Sequence, residues 1–231
     1  MENERKLVSN TGVNGFLTKM YGFMAGAVAI SAVVAYLVSN VFYNEVATYM
    51  SGHPFMMFIL FGLQLLIAVG MSFKADRSPV VSGLGLVAFA TIQGVFFGII
   101  VSLYAASDVT MAFVGAAAVF VSMAVMGTTT KKDLSRIGTH ALAALIALVI
   151  VSVVNMFLQS TMITFVFSFA GVIIFTALTA WDAQKFRTLY LQTRGQVSGT
   201  GLALMGALQL YLDFVNLFIS LLNIFTGFNN K

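Results

Sequence analysis

The chain has 231 residues, 59% of them hydrophobic and only 9% charged, with a mean hydropathy of +0.95. About a quarter of the residues of a typical soluble domain are charged, so this composition excludes a soluble globular protein and leaves no room for a soluble catalytic domain. The net charge of +4 is small and sorted by side, which argues against a nucleic-acid surface, and the absence of cysteine excludes disulfides and thiolate metal sites.

The bilayer core takes about 20 apolar residues per helix, and seven such stretches follow one another. Residues 1–19 are polar and are expected to form a cytoplasmic segment, partly disordered at its start. Residues 20–227 are expected to form a single seven-helix membrane domain, and 228–231 a short external tail. No small-x-small cleavage site follows the first apolar run, so no cleavable signal is expected. The first predicted helix covers about Met20–Phe42 and carries Gly22 and Gly26 four apart, a spacing that lets helices approach closely. A polar turn, Asn44–Pro54, leads to the second, about Phe55–Phe73, which contains Gln64. The charged loop Lys74–Pro79 precedes the third, about Val80–Tyr104, with Gly94 and Gly98 again four apart. A turn holding Asp108 leads to the fourth, about Met111–Thr128. Thr129–Gly138 is the densest charge cluster in the chain, and Asp133 or Ser135 is placed to cap the fifth helix, which runs to about Leu158. After the very short turn Gln159–Thr161, the sixth starts near Met162 and ends between Gln184 and Arg194. The Gly/Ser-rich segment Gly195–Gly201 enters the seventh, Leu202–Phe225.

Lys and Arg fall in the N-terminal segment (Arg5, Lys6, Lys19), the second-to-third loop (Lys74, Arg77), the fourth-to-fifth loop (Lys131, Lys132, Arg136) and the sixth-to-seventh region (Lys185, Arg187, Arg194). The alternate loops carry none, and the remaining cation is Lys231. Cytoplasmic loops carry the Lys/Arg excess. The expectation is a multi-pass protein of the cell (cytoplasmic) membrane, N-terminus inside and C-terminus outside.

Six of the eight acids (Glu2, Glu4, Glu45, Asp76, Asp108, Asp133) lie in predicted tails or loops and read as solvated surface. Asp182 and Asp213 lie inside predicted spans. A charge at the centre of a span costs about 2.5–3.5 kcal/mol on insertion scales, so an intramembrane acid points to function. The two sit on sequential antiparallel helices, and the midpoint between them falls between Val197 and Ser198, in the connecting loop. A hairpin therefore brings the two carboxyls to one depth, without fixing the rotation that decides whether they touch. Two carboxylates held close in low dielectric cannot both ionise freely and tend to share a proton. Such a pair can hold a hard cation such as Ca²⁺, sense pH, or activate a water as in aspartic proteases. The plainer alternative is a packing pair tied to helix termini or to Lys185.

Gln64, Gln93, Asn155, Gln209, Asn216 and Asn223 either line a polar path or hydrogen-bond between helices. His140 is near enough to an interface to titrate, with packing as the alternative. No P-loop, HExxH, zinc ligand set or nucleotide fingerprint is present.

At TKKDLSRIG (Thr130–Gly138), TAWDAQK (Thr179–Lys185) and ALQLYLDFVNLFISLLNIF (Ala207–Phe225) the chain resembles the transmembrane Bax inhibitor motif, or Bax inhibitor-1, family, and looks like a bacterial member. The resemblance implies an all-α integral membrane protein of seven transmembrane helices, the seventh central and surrounded by the other six. It implies a pH-sensitive calcium leak, sensed by aspartates matching Asp182 and Asp213, with Ca²⁺ and protons as its ligands and no cofactor. In the family a basic residue at the cytoplasmic end of the second helix latches a closed state; the nearest cations here are Lys74 and Arg77, and neither stands at the family position. The tyrosine common before the first aspartate is Trp181, and an acid common in the second helix is Gln64.

The leading expectation is thus a non-enzymatic Ca²⁺ leak channel gated by protons on Asp182 and Asp213. Three alternatives stay open. One is a regulatory membrane protein that binds a membrane protease or other partner through the TTKKDLSR loop. A second is a proton-coupled transporter. The third is an intramembrane aspartyl protease, against which the absence of a GxGD context argues.

Overall fold

The computed structural model describes residues 2–74, 78–193 and 198–229, with side chains at 12–71, 78–193 and 198–227. The described residues fold as helices: α1 (Glu2–Tyr36), α2 (Tyr43–Gly52), α3 (Met56–Lys74), α4 (Pro79–Val101), α5 (Ala106–Thr129), α6 (Ser135–Leu158), α7 (Thr161–Gln192) and α8 (Gly199–Asn229). Six of these are long and apolar enough to cross a membrane within the described residues. The 19 residues of α3 extend about 28 Å at 1.5 Å each, close to the thickness of the hydrocarbon core, and the bent pair α2 and α3 brings the count of candidate spans to as many as seven. The chain is an all-α integral membrane protein.

Each predicted span is recovered, with three differences at the edges. The first helix starts at Glu2 rather than Met20; the polar residues that read as a free segment continue the helical backbone. It ends in a π-helical turn, Leu37–Val41, where Phe42 N–H donates to the Leu37 carbonyl at 2.9 Å. Asn44–Pro54, expected as a turn, is largely the helix α2. It meets the axis of α3 at 99°, exposes all its residues or nearly so, carries exposed Tyr43 and Tyr49, and is flanked by exposed Phe42 and Phe55. Aromatic rings on a short helix lying across a span suit the membrane–water interface. Asp108, expected in a solvated turn, lies in the first turn of α5 and is 4% exposed. The N-terminal end of a helix favours an acid there, which offsets part of the cost of burial.

The chain forms two compact units. One comprises Met1–Leu103 with Thr188–Tyr211, the other Tyr104–Arg187 with Leu212–Lys231; α7 and α8 contribute to both.

In the first unit α1 packs against α4 where small residues permit it. A Cβ on Gly94 would stand 2.6 Å from Val34 Cβ, and one on Gly98 2.5 Å from Val38 Cβ, so only glycine fits at either position. Gly22 and Gly26 show no such neighbour within 4 Å. Between α3 and α4, Gln64 Nε2 donates to Gln93 Oε1 at 2.9 Å. Of the two readings for these amides, the structure shows interhelical bonding. Tyr211, near the middle of α8, is fully buried; its hydroxyl meets Ser31 Oγ at 2.6 Å, and Ser31 donates to the Ala90 carbonyl at 2.8 Å. The Phe89 ring stands edge-on to Tyr211 at 6.0 Å. A buried phenol with its hydroxyl satisfied fixes α8 in rotation at this point.

In the second unit α5 turns a face of small residues inward: Ala112, Ala116, Ala124 and Gly127 are buried, with Phe120 among them. Phe113 and Phe120 meet Phe214 edge-on at 5.6 and 5.8 Å. α6 has only 6% of its apolar window buried and presents Ile146, Ile150, Val153 and Phe157 outward, as a lipid-facing helix does. α8 is the opposite case. Its window is 72% buried, against 6–33% for the other candidate spans. A helix apolar on every face is one that other helices cover.

Candidate functional site

Asp182 and Asp213 both belong to the second unit, on α7 and α8. Asp182 is 0% exposed and Asp213 2%. Their carboxyls face each other within hydrogen-bonding reach. The rotation that sequence left open is therefore one that turns the two acids together.

The local packing explains that rotation. On α7 the residues around Asp182 (Leu178, Thr179, Ala180, Ala183 and Phe186) are all 2% exposed or less. The Ala180 carbonyl lies against Gly127 of α5, so closely that any Cβ at Gly127 would collide with it. The Trp181 ring lies flat over Gly138 of α6, and a Cβ there would enter the ring. Two glycines on two helices thus seat the residues immediately before Asp182 and fix which way it points. On α8, Phe214, next to Asp213, is held edge-on by the two phenylalanines of α5.

Gln184 ties this stretch to the loop between α5 and α6. Its Oε1 accepts from Leu134 N–H at 2.8 Å, and its Nε2 donates to the Lys132 carbonyl at 2.9 Å. One side chain thereby satisfies two backbone groups fifty residues away, at the turn where α6 has no side-chain cap on its own first residue. Asp133 serves the same turn: Oδ1 accepts from Ser135 N–H at 2.9 Å. The Ser135 hydroxyl and amide together hold the Asp133 carboxyl below the usual carboxylate range. Lys131, Lys132, Arg136 and His140 are exposed.

Among the described residues, Lys185 is the cation set beside the pair. Its Nζ is 3.4 Å from Asp182 Oδ1, one turn along the same helix, and stands 4.8 Å from the Trp181 ring centroid and 5.4 Å from that of Phe186. Asp182 is wholly buried while Lys185 is 41% exposed, so the ammonium reaches water with its stem along the aromatic rings. The sequence reading gave Lys185 only a packing role. The signal available was its place at i+3 from Asp182 on a helix. Lys74 closes α3 but its side chain lies outside the described residues, as does Arg77.

Chemically, two acids and one ammonium form a balanced cluster when the acids share one proton. A second proton or its loss leaves a net charge in a dry place, which is costly. The Asp213 Oδ2 is buried and without a hydrogen-bond partner among the described residues, so one acceptor stays available inside the cluster. No group of three or more His, Asp or Glu that could hold a metal occurs among the described residues. Two carboxylates supply at most four oxygens, whereas Ca²⁺ takes about 6–8.

Sequence comparison places these features among known proteins. An uncharacterized membrane protein of Streptococcus pyogenes serotype M3 is 36% identical over 94% of each chain. The protein YrjE of Lactococcus lactis is 34% identical, over 93% of this chain and 91% of its own. The inner membrane protein YbhL of Escherichia coli is 31% identical, over 93% and 92%. Residues 13–230 match the family described as inhibitor of apoptosis-promoting Bax1, and the chain, with bacterial relatives along its whole length, belongs to that Bax inhibitor-1 family.

Proposed function

We propose that the protein is a pH-sensitive calcium leak channel of the cell membrane, gated by protons on Asp182 and Asp213, and not an enzyme. The observation that carries this reading is the pair itself: two fully buried carboxyls facing each other inside membrane-spanning helices, with one ammonium on their rim. Intramembrane acids are costly and face ion or proton paths as a rule. In the closed form the pair shares a proton and Lys185 balances the remaining charge. A change of one proton breaks that balance, and α7 and α8 move apart enough for Ca²⁺ to pass between their oxygens. Any latch from Lys74 or Arg77 would add to Lys185 rather than replace it.

The test is Ca²⁺ flux against pH in proteoliposomes of the purified protein. Asp213→Asn and Asp182→Asn are each expected to remove the pH dependence of flux. A mutant that keeps the wild-type pH profile overturns the sensor assignment.

A second reading has one observation in its favour. The exposed Lys131, Lys132 and Arg136 sit on the loop before α6 and on its first turn, and Gln184 fastens that loop beside Asp182, giving a surface suited to an acidic protein partner. A regulatory protein binding a membrane protease there would retain its partner when both aspartates are changed to asparagine.

A further inference from the structure

The second unit contains a cavity of about 1000 Å³ walled by α6, α7 and α8. It lies around the turn 159–161, at the end of α6 away from the basic loop 131–136. No wall residue is charged, and most of the wall that α6 and α7 supply is apolar, with Leu148, Val151, Phe165, Phe167 and Phe175 among its members. Met156, Met162 and Val166 belong to the wall and are also exposed. Exposed apolar side chains on membrane-spanning helices face lipid, so the cavity is continuous with the lipid-facing surface of α6 and α7.

α8 supplies the polar side. Asn216, Ser220 and Asn223 follow at spacings of four and three, on one face of the helix, with Thr226 one turn further on. From Asn216 to Thr226 this face rises about 15 Å. Its hydrogen-bonding capacity is largely open. Asn216 gives one amide hydrogen to the Leu212 carbonyl at 2.8 Å and keeps the other, together with its oxygen. Among the described residues Asn223 makes no side-chain hydrogen bond, and Thr226 Oγ1 is buried without a partner. The polar groups across the cavity are committed elsewhere. The hydroxyls of Ser152, Thr164 and Ser168 donate to carbonyls four residues back, at 2.8, 3.2 and 2.7 Å. Asn155 uses its amide on the Ser160 carbonyl and Thr164 Oγ1, and its oxygen on Ser160 N–H. Gln159, exposed at the turn, adds a free amide at the outer end. One wall thus offers donors and acceptors together, and the wall facing it offers mainly apolar surface.

A guest that suits this space has one edge that both donates and accepts, an apolar body and no charge. Water bonds along α8 alone and meets an apolar wall across the rest of the space. An ion or a phosphate finds no opposite charge to offset its loss of water. A mostly apolar pocket of this volume with a few polar groups is the usual form of a small-molecule site. We infer that the cavity binds a neutral glycerolipid of the diacylglycerol class, which enters from the bilayer. Its free hydroxyl donates to an asparagine oxygen of α8. Its ester carbonyls accept from the Asn223 amide and the Thr226 hydroxyl, and its acyl chains lie along the apolar wall of α6 and α7. The inference does not depend on Ca²⁺ or on the aspartate pair.

The test uses a diacylglycerol carrying a diazirine in one acyl chain and an alkyne for recovery. It is added to the full-length protein in phosphatidylcholine nanodiscs and crosslinked by light. Peptide mass spectrometry is expected to find the label on residues 148–167 and 216–227. An about tenfold excess of unlabelled dioleoylglycerol should lower that labelling about tenfold by mass action and leave the background on α4 unchanged. The same excess of the anionic dioleoylphosphatidylglycerol should leave both unchanged. Asn223→Leu combined with Thr226→Val removes two of the bonds, and labelling is expected to fall about tenfold at an unfolding temperature near wild type. The competition is read on the wild-type chain and needs no variant. Labelling of the cavity peptides no stronger than that of α4, or equal competition by the anionic lipid, overturns the inference, because bulk lipid then fills the space. The chain has no cysteine, so Asn223→Cys supplies a further reading. If a charged, membrane-impermeant thiol reagent modifies it as fast as it modifies Ser102→Cys, at an exposed position outside the cavity, the space holds water and the inference is again overturned.

Discussion

Asp182 and Lys185 show how one residue changes what a buried pair can do. Three residues apart on α7, they place an ammonium 3.4 Å from a carboxyl that has no exposure to water. The ammonium itself is partly solvated, so its attraction is screened and modest. Its effect on the proton balance of the pair still has a definite sign. A nearby cation favours the ionised acid, so removing it makes the shared proton harder to lose. Lys185→Met is therefore expected to move the midpoint of the flux–pH curve to higher pH, and Lys185→Arg to leave it near wild type. Flux in proteoliposomes over a pH series checks this, and a downward shift for Lys185→Met counts against the assigned role. The depth shared by Asp182 and Asp213 was legible in the sequence because helix rise and loop position settle it. Their rotation was not, since it depends on Trp181 over Gly138 and on the Ala180 carbonyl against Gly127, contacts between residues more than forty apart. Lys185 is legible at its i+3 spacing from Asp182, but spacing alone does not say which rotamer brings its ammonium to the carboxyl.

Elements hold the pair in place through two small positions and one strap. Gly138 and Gly127 let α6 and α5 approach α7 at Trp181 and Ala180. A side chain at either site forces the helices apart, and overpacking of this kind costs typically 1–3 kcal/mol, so about that loss is expected for Gly138→Val. Thermal unfolding in detergent should show it, with Gly22→Val, where no neighbour stands within 4 Å, as the unaffected comparison. Gln184 is the strap. Gln184→Leu leaves the Lys132 carbonyl and the Leu134 amide without their partner, at a cost of about 1–3 kcal/mol for buried groups and less where water reaches them. The expected result is faster tryptic cleavage at Lys131–Lys132 with little change in unfolding temperature, because the loop opens locally. Unchanged cleavage would show that the loop does not depend on Gln184. At this scale the apolar spans were legible from length and composition alone. The helix α2 was not: Asn44 and Glu45 read as a turn, and a helix exposed on all sides leaves no apolar stripe to detect. Asp108 was misplaced for a related reason, since a short polar stretch before a span reads as loop whether or not the helix has already begun.

For the molecule as a whole, the count of crossings and their direction follow from where the cations lie. With α3 counted, the candidate spans among the described residues come to seven, an odd count that would put the termini on opposite sides. The basic positions support the same count independently. Lys131 and Lys132 precede α6 and Arg136 is its second residue, Lys185 and Arg187 lie in the last third of α7, and the turns at 102–105 and 159–160 contain no cation. The positive-inside rule would then set the basic ends in the cytoplasm and the C-terminus outside, which is the topology we propose. α8 is where the count is decided, because a six-span molecule would have it enter and leave by one side. Its 31 residues extend about 46 Å if helical throughout, more than the hydrocarbon core, and no break interrupts the helix. A C-terminal fusion to alkaline phosphatase, which is active only outside the cytoplasm, is therefore expected to be active, and a C-terminal green fluorescent protein dark. Fusions after Thr130 should give the opposite pattern. An inactive phosphatase at the C-terminus would place both ends of α8 inside, and Asp213 would then face a path open to the cytoplasm alone.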